Sequence, residues 1–294
     1  MVALPPAIAA QLGDLRQQRV ALDGVEMAWL QRGEGQTVVF LHGNPTWGFL
    51  WRKVMLQLDP TRFRCLAPDL LGLGFSSRIP AAAHTLEAHA EWFGRWLDAM
   101  QLRNIILVAQ DWGGPIALRA LADRPGLAAA LVLSNTVAGP PRVDARPTLF
   151  HRFAHSRGLA DLVFRFGGFP QRALHLAQHD RSSISGEVAE AYRYPLRGLS
   201  QNAAPLALAR MVPLGSDHPS LAALQRCGAF TASFTGPIEL VWGVRDPILG
   251  RVINHLERAF PRAGVSRHEA GHFTAEEIPD ALADAVRSAA SSLA

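Results

Sequence analysis

The sequence predicts an α/β fold: a mostly parallel, doubly wound sheet flanked by helices, with an inserted helical cap. Three observations carry this. Short β-branched apolar runs alternate with stretches of helical periodicity, the pattern of βαβ units. The alternation lapses between about Ala138 and Ser216, where prolines (140, 141, 147, 170, 195) and phenylalanines mix with short helical segments, and then resumes. Polar residues follow the strands, and in such sheets the active site lies outside the carboxyl ends of the strands. Residues 1–137 and 217–294 are expected to build the core, and 138–216 the cap.

In order, Arg19-Val20-Ala21-Leu22 and Met27-Ala28-Trp29-Leu30 flank Asp23-Gly24, a strong hairpin signal. Thr37–Leu41 is the next strand, running into His42-Gly43-Asn44-Pro45-Thr46-Trp47. A helix is expected from Trp51, a short strand at Arg64–Pro68, and a glycine-broken loop from Asp69. Between Thr85 and Leu102 the apolar residues Leu86, Trp92, Phe93, Trp96 and Leu97 recur at helical spacing. The run Asn104–Val108 reads as a strand buried on both faces, and Pro115–Ala122 as a helix. Ala130–Ser134 is another buried strand, followed by Asn135. After the cap come a helix near Leu221–Leu224, a strand at Ile238–Trp242, a helix to Phe260, a short strand near Val265–His268, and a C-terminal helix from Pro279.

A chain of 294 residues, 49% hydrophobic, can bury a sizeable core. The net charge of +4 comes almost wholly from scattered arginines, Lys53 being the only lysine, so no nucleic-acid partner is expected. Cys65 and Cys227 have no metal-ligand spacing and suit a reducing, cytoplasmic setting. The N-terminal stretch lacks the pattern of a signal peptide, and no apolar run approaches the length of a membrane span.

The chemistry centres on Val108-Ala109-Gln110-Asp111-Trp112-Gly113-Gly114. A strand turning sharply into a helix, with small residues (Ala109, Gly113) either side of a polar one, is a nucleophile elbow of the α/β-hydrolase fold. The nucleophile slot holds Asp111, and no G-x-S-x-G occurs in the chain. Asp111, Asp246 and His272 follow strands in the chain order nucleophile, acid, histidine. Each also has a plainer reading. Asp111 suits a helix N-cap, Asp246 before Pro247 suits an ordinary loop, and His272 is one of 11 histidines.

His42-Gly43-Asn44-Pro45-Thr46-Trp47, Gln110-Asp111-Trp112-Gly113-Gly114 and Gly271-His272-Phe273 together resemble the haloalkane dehalogenases, with further likeness at Tyr192-Arg193-Tyr194-Pro195 and His218-Pro219-Ser220. The resemblance covers nearly the whole chain. It implies catalytic roles for Asp111, Asp246 and His272, halide binding by the side chains of Asn44 and Trp112, and an oxyanion site from the backbone N–H groups of the same two residues. Physical logic agrees. A carboxylate can displace halide from an sp³ carbon and form an alkyl ester, which a histidine-activated water cleaves. An indole and a carboxamide are donors suited to the departing anion. Neither cofactor nor metal is expected; the partners are a small hydrophobic substrate, water and halide ion. The phenylalanine-rich cap predicts an apolar tunnel.

Ser134-Asn135-Thr136 contains no carboxylate where one dehalogenase subgroup has its acid, and the cap has no tryptophan where another has a halide ligand. The pattern is that of the third subgroup, which closely resembles the β-lactone decarboxylases of olefinic hydrocarbon biosynthesis, an alternative that the sequence leaves open. Epoxide hydrolases use two cap tyrosines on one oxygen. Tyr192 and Tyr194, two residues apart, would point roughly 200° apart on a helix. A ligand-binding receptor on the same scaffold would often lack a triad member, whereas all three positions are filled here.

Overall fold

The computed structural model describes residues 4–141, 148–156, 158–198 and 202–293, so Pro147 of the expected cap lies outside the described residues. The strands are β1 (Arg16–Leu22), β2 (Val25–Arg32), β3 (Gln36–Leu41), β4 (Phe63–Pro68), β5 (Ile105–Asp111), β6 (Ala128–Thr136), β7 (Ile238–Gly243) and β8 (Gly264–His268). They form one eight-stranded sheet in the order β1-β2-β4-β3-β5-β6-β7-β8. β1 and β2 pair antiparallel around Asp23 and Gly24, both at positive φ as the hairpin signal requires. β2 meets β4 antiparallel, and every pairing from β4 through β8 is parallel.

The helices are α1 (Pro6–Leu12), α2 (Arg52–Gln57), α3 (Leu86–Ala99), α4 (Gly113–Ala122), α5 (Leu149–Ala154), α6 (Leu159–Asp161), α7 (Gly186–Arg193), α8 (Ala203–Ala209), α9 (Ser220–Ser233), α10 (Ile253–Ala259), α11 (Thr274–Glu277) and α12 (Pro279–Ser291). β5 shows why the sheet is covered on both faces. Side chains alternate along a strand, so Ile105, Leu107 and Ala109 pack with Phe93 and Trp96 of α3, Ile116 of α4 and Leu224 of α9. Ile106 and Val108 face the opposite layer, with Val54 of α2, Ile8 of α1 and Val286 of α12.

Among the described residues between Thr136 and Ser220 there is no strand. The phenylalanines expected to line a tunnel largely pack on one another instead. Phe164 is fully buried between Phe150 and Phe169, with ring centroids 6.1 and 5.2 Å away, while Phe166 is exposed to solvent. A helical segment this short has too little core of its own, and its aromatics supply one against Leu206 of α8.

A buried ionic clasp joins this segment to the sheet layers. Glu276 of α11 takes Arg52 Nη1 at 2.5 Å and Nη2 at 3.1 Å, Lys53 Nζ at 3.0 Å, and the hydroxyl of Tyr192 on α7 at 2.5 Å. Burial and the Glu276 carboxylate hold the Tyr192 phenol well above its ordinary pKa, so it keeps its proton and donates. The Arg52 guanidinium also stacks 3.7 Å from the centre of the Phe49 ring.

Candidate active site

Asp111 ends β5 at φ 52°, a left-handed conformation that costs a non-glycine residue energy and is characteristic of the elbow. Its surroundings hold it there. Thr136 Oγ1 donates to its backbone carbonyl at 2.6 Å. A Cβ at Gly113 would collide with the Leu41 carbonyl at the end of β3, which is why the residue two beyond the nucleophile is glycine. A Cβ at Gly43 would strike the Asp111 carboxylate itself.

That close approach lets the β3 loop reach the carboxylate: the backbone N–H of Asn44 donates to Asp111 Oδ1 at 2.8 Å. The loop is fixed by His42, whose Nδ1 is 2.8 Å from Gly43 O and whose Nε2 accepts from Leu70 N at 3.0 Å. Burial pushes the His42 imidazole down to about 4, outweighing its bond to Gly43 and the nearby Asp111 charge, so the ring is neutral.

His272 lies beyond β8, with Nε2 3.5 Å from Asp111 Oδ2 and Nδ1 2.8 Å from Asp246 Oδ2. All three residues of the expected triad therefore meet in one chain of contacts. Burial opposes charge on the ring, but the Asp246 and Asp111 carboxylates outweigh it and push the imidazole up to about 10. For Asp246, burial favours the protonated acid, yet the facing His272 charge and hydrogen bonds from Asn135 and Ile248 N hold the carboxyl below its usual range.

Asn135 lies at the carboxyl end of β6, one residue before its last, and it holds Asp246 in place. Its Nδ2 donates to Asp246 Oδ2 at 2.8 Å and to Gly243 O at 2.9 Å, while its Oδ1 accepts from Gly243 N at 2.8 Å. It ties the end of β6 to the loop after β7.

The two expected halide ligands flank the carboxylate differently. Trp112 stands at the N-cap of α4, largely buried, and its indole N–H has no hydrogen-bond partner among the described residues. Asn44 directs its side chain to α8: Nδ2 donates to Pro205 O at 2.9 Å, leaving one of its two N–H groups. Its Oδ1 is buried without a partner among the described residues.

Two residues of this neighbourhood were not among the sequence candidates. Gln110 is buried directly against His272, a position that only the strand's alternation could have suggested. His151 of α5 is close enough to feel the charges of Asp111 and His272. Burial dominates and pushes it down to about 4, so this histidine is neutral. Tyr192 is committed to Glu276, and Tyr194 packs on Phe75, so the tyrosine pair of the epoxide reading is not assembled.

An acid, a histidine and a carboxylate at a strand-to-helix elbow, on an eight-stranded mostly parallel sheet, define an α/β-hydrolase. The family described as alpha/beta hydrolase fold matches residues 36–279. The haloalkane dehalogenase of Mycobacterium marinum is 30% identical over 268 residues, covering 89% of this chain and 88% of that protein. Haloalkane dehalogenase 2 of Mycobacterium bovis is 32% identical over 263 residues, covering 88% and 89%. Among solved structures, the haloalkane dehalogenase DbeA of Bradyrhizobium elkani superposes with a TM-score of 0.85 at 25% identity, covering 95% of this chain and 99% of that one. The chain belongs to the haloalkane dehalogenase family of the α/β-hydrolases.

Proposed function

We propose that this protein hydrolyses carbon–halogen bonds of alkyl halides to alcohol, halide and proton through an ester on Asp111. The observation that carries the reading is the division of labour at one carboxylate: Oδ1 is held by the Asn44 N–H, while Oδ2 faces His272. Oδ2 attacks the carbon in line, the carbon–halogen bond breaks with its electron pair, and the halide leaves toward the free indole N–H of Trp112 and the remaining Asn44 N–H. Oδ1 becomes the ester carbonyl, already seated on a backbone donor. With the Asp111 charge gone, the His272 imidazolium gives up its Nε2 proton to solvent; a water then loses a proton to Nε2 and attacks the ester carbon. The oxyanion forms on Oδ1, held by the backbone N–H groups of Asn44 and Trp112 at the head of α4. Collapse breaks the ester C–O bond, the departing alkoxide takes the proton from His272 to leave as alcohol, and an oxygen of water remains in Asp111. Asp246 orients the ring and stabilises the imidazolium.

Neither cofactor nor metal enters this cycle. We further propose that residues 138–216 act as a cap over the site, admitting a small hydrophobic substrate, and that the protein works in the cytoplasm, which its two buried free cysteines support.

The test is halide release from bromoalkanes, 1,2-dibromoethane to 1-bromohexane, by the wild type, Asp111→Ala and His272→Ala. Expected are turnover by the wild type, none by Asp111→Ala, and at most one halide per molecule from His272→Ala. No release from any substrate refutes the reading, and alkene formation from a long-chain cis-β-lactone would then identify the decarboxylase alternative.

A further inference from the structure

We propose that Gln110 is a positioning residue for the hydrolytic half of the reaction: its amide N–H groups, aimed at His272, favour the uncharged imidazole that must accept a proton from water. The proposal rests on the dehalogenase reading above. Gln110 immediately precedes Asp111 on β5 and is 1% exposed. Its Nε2 donates to His272 O at 3.1 Å and lies 3.2 Å from His272 Nε2. A carbonyl only accepts, so that first bond decides which end of the amide faces the histidine. The reversed amide would set Oε1 against the His272 carbonyl, oxygen to oxygen.

The positive end of the amide dipole is thus fixed beside the ring nitrogen that serves as base. It stabilises a nitrogen bearing a lone pair and opposes one bearing a proton, and it acts through the dipole without having to occupy the lone pair. The neutral tautomer it favours carries its proton on Nδ1, the tautomer that the bond to Asp246 also selects. The charged groups facing the ring act in the other sense. Asp246, from the loop after β7, and Asp111, from the end of β5, both favour the imidazolium, and among the described residues of α5 the neutral His151 faces the ring. Alkylation removes the Asp111 charge. Gln110 is then the polar side chain left beside Nε2, and it weighs toward the base at the step that needs one. Its Oε1 is buried without a partner among the described residues, so the amide is retained at this place despite an unmet acceptor.

The experiment compares the wild type with Gln110→Leu and with the nearly isosteric Gln110→Glu, following formation and hydrolysis of the alkyl-enzyme by rapid quench and intact-protein mass spectrometry between pH 6 and 10. Losing one neutral hydrogen bond corresponds to about a five-fold effect. Hydrolysis by Gln110→Leu is therefore expected to slow about five-fold near neutral pH. Its inflection should move to higher pH, the high-pH plateau should be kept, and alkylation should be unchanged. Gln110→Glu, which puts a third carboxylate at the ring, should move the inflection further in the same direction. An unmoved inflection, whether or not the plateau falls, overturns the proposal and leaves Gln110 as packing. A second readout needs no turnover: ¹⁵N resonances of the His272 ring, titrated in the Asp111→Asn background with and without Gln110→Leu. A higher midpoint in the double variant supports the proposal and an equal one overturns it. A wild type that forms no alkyl-enzyme refutes the dehalogenase reading, and this titration still decides for or against Gln110.

Discussion

Replacing Asp111 by Asn isolates the electrostatics on which the proposed cycle depends. The amide has the size of the carboxylate but no charge, as does the alkyl ester, so the variant reproduces the field that His272 meets in the intermediate. Two effects act on the ring. The charge lost was 3.5 Å from Nε2, a separation at which a pair is worth about 1 kcal/mol in water and about 5 kcal/mol at an effective dielectric of 20. The Asp111 side chain is 16% exposed, between those limits. The Asn44 N–H also fixes the new amide with its oxygen in the Oδ1 place, turning NH₂ toward His272, which again favours the neutral ring. The His272 midpoint should fall from about 10 in the wild type into roughly the 7–9 range. Ring ¹⁵N shifts of histidine-labelled protein between pH 5 and 11 measure it. A midpoint still near 10 would show that Asp111 is not the partner that raises it. Stability must follow the same sign. In the wild type the folded value lies above the ordinary 6.5, so this contribution is complete below pH 6.5 and is lost as pH rises from there to about 10. In Asp111→Asn the loss across that interval should be smaller, as urea unfolding at pH 6.5 and pH 9.5 can determine.

Two further substitutions probe the supports of the site. Arg52→Met takes the two guanidinium hydrogen bonds from the buried Glu276 carboxylate, leaving it Lys53 Nζ and the Tyr192 hydroxyl, and should destabilise the fold by about 1.5–3 kcal/mol. Adding Glu276→Met should recover much of this in urea unfolding, and a single variant as stable as the wild type would contradict the clasp. Asn135→Asp tolerates the positive φ of that position but sets a second carboxylate 2.8 Å from Asp246 Oδ2. One of the two must then take a proton, so stability should be lost as pH rises from about 5 to 8. Combining Asn135→Asp with Asp246→Asn reverses the hydrogen bond and should restore stability. Equal unfolding of Asn135→Asp at both pH values would count against the contact.

What the sequence revealed and what it hid divide along the range of the interactions. The hairpin is written in Asp23-Gly24, and the elbow in the small residues around Asp111, because both are dictated within a few residues. The order of Asp111, Asp246 and His272 was legible because parallel sheets deliver every strand's carboxyl end to one edge. By contrast, β4 pairs with β2 on one side and β3 on the other, an order that no local pattern encodes. The helix α1, anchored by Ile8 and Leu12, offers too few turns to show its period. The clasp joins residues 224 positions apart, and the anchoring of Asn44 by Pro205 spans 161. The phenylalanines misled for a related reason: composition records that aromatics are present, whereas only packing separates a lining ring from a core ring.

In the proposed cycle the same contacts let one histidine serve two half-reactions with opposite needs. While Asp111 is a carboxylate, His272 is held charged between two anions, and a charged imidazolium cannot draw a proton from water. The proton stays on the ring, and water near the site is not activated ahead of the substrate. Ester formation withdraws the charge of Asp111 and with it a principal reason for the ring to stay protonated. Asp246 cannot follow, since Asn135 and Ile248 N fix it as an anion, so it keeps orienting the ring through Nδ1. Gln110 then weighs on the side of the lone pair. In this reading the base is switched on by the first chemical step itself, and a variant that alters the charge at position 111 should alter the competence of His272 before any change in packing is felt.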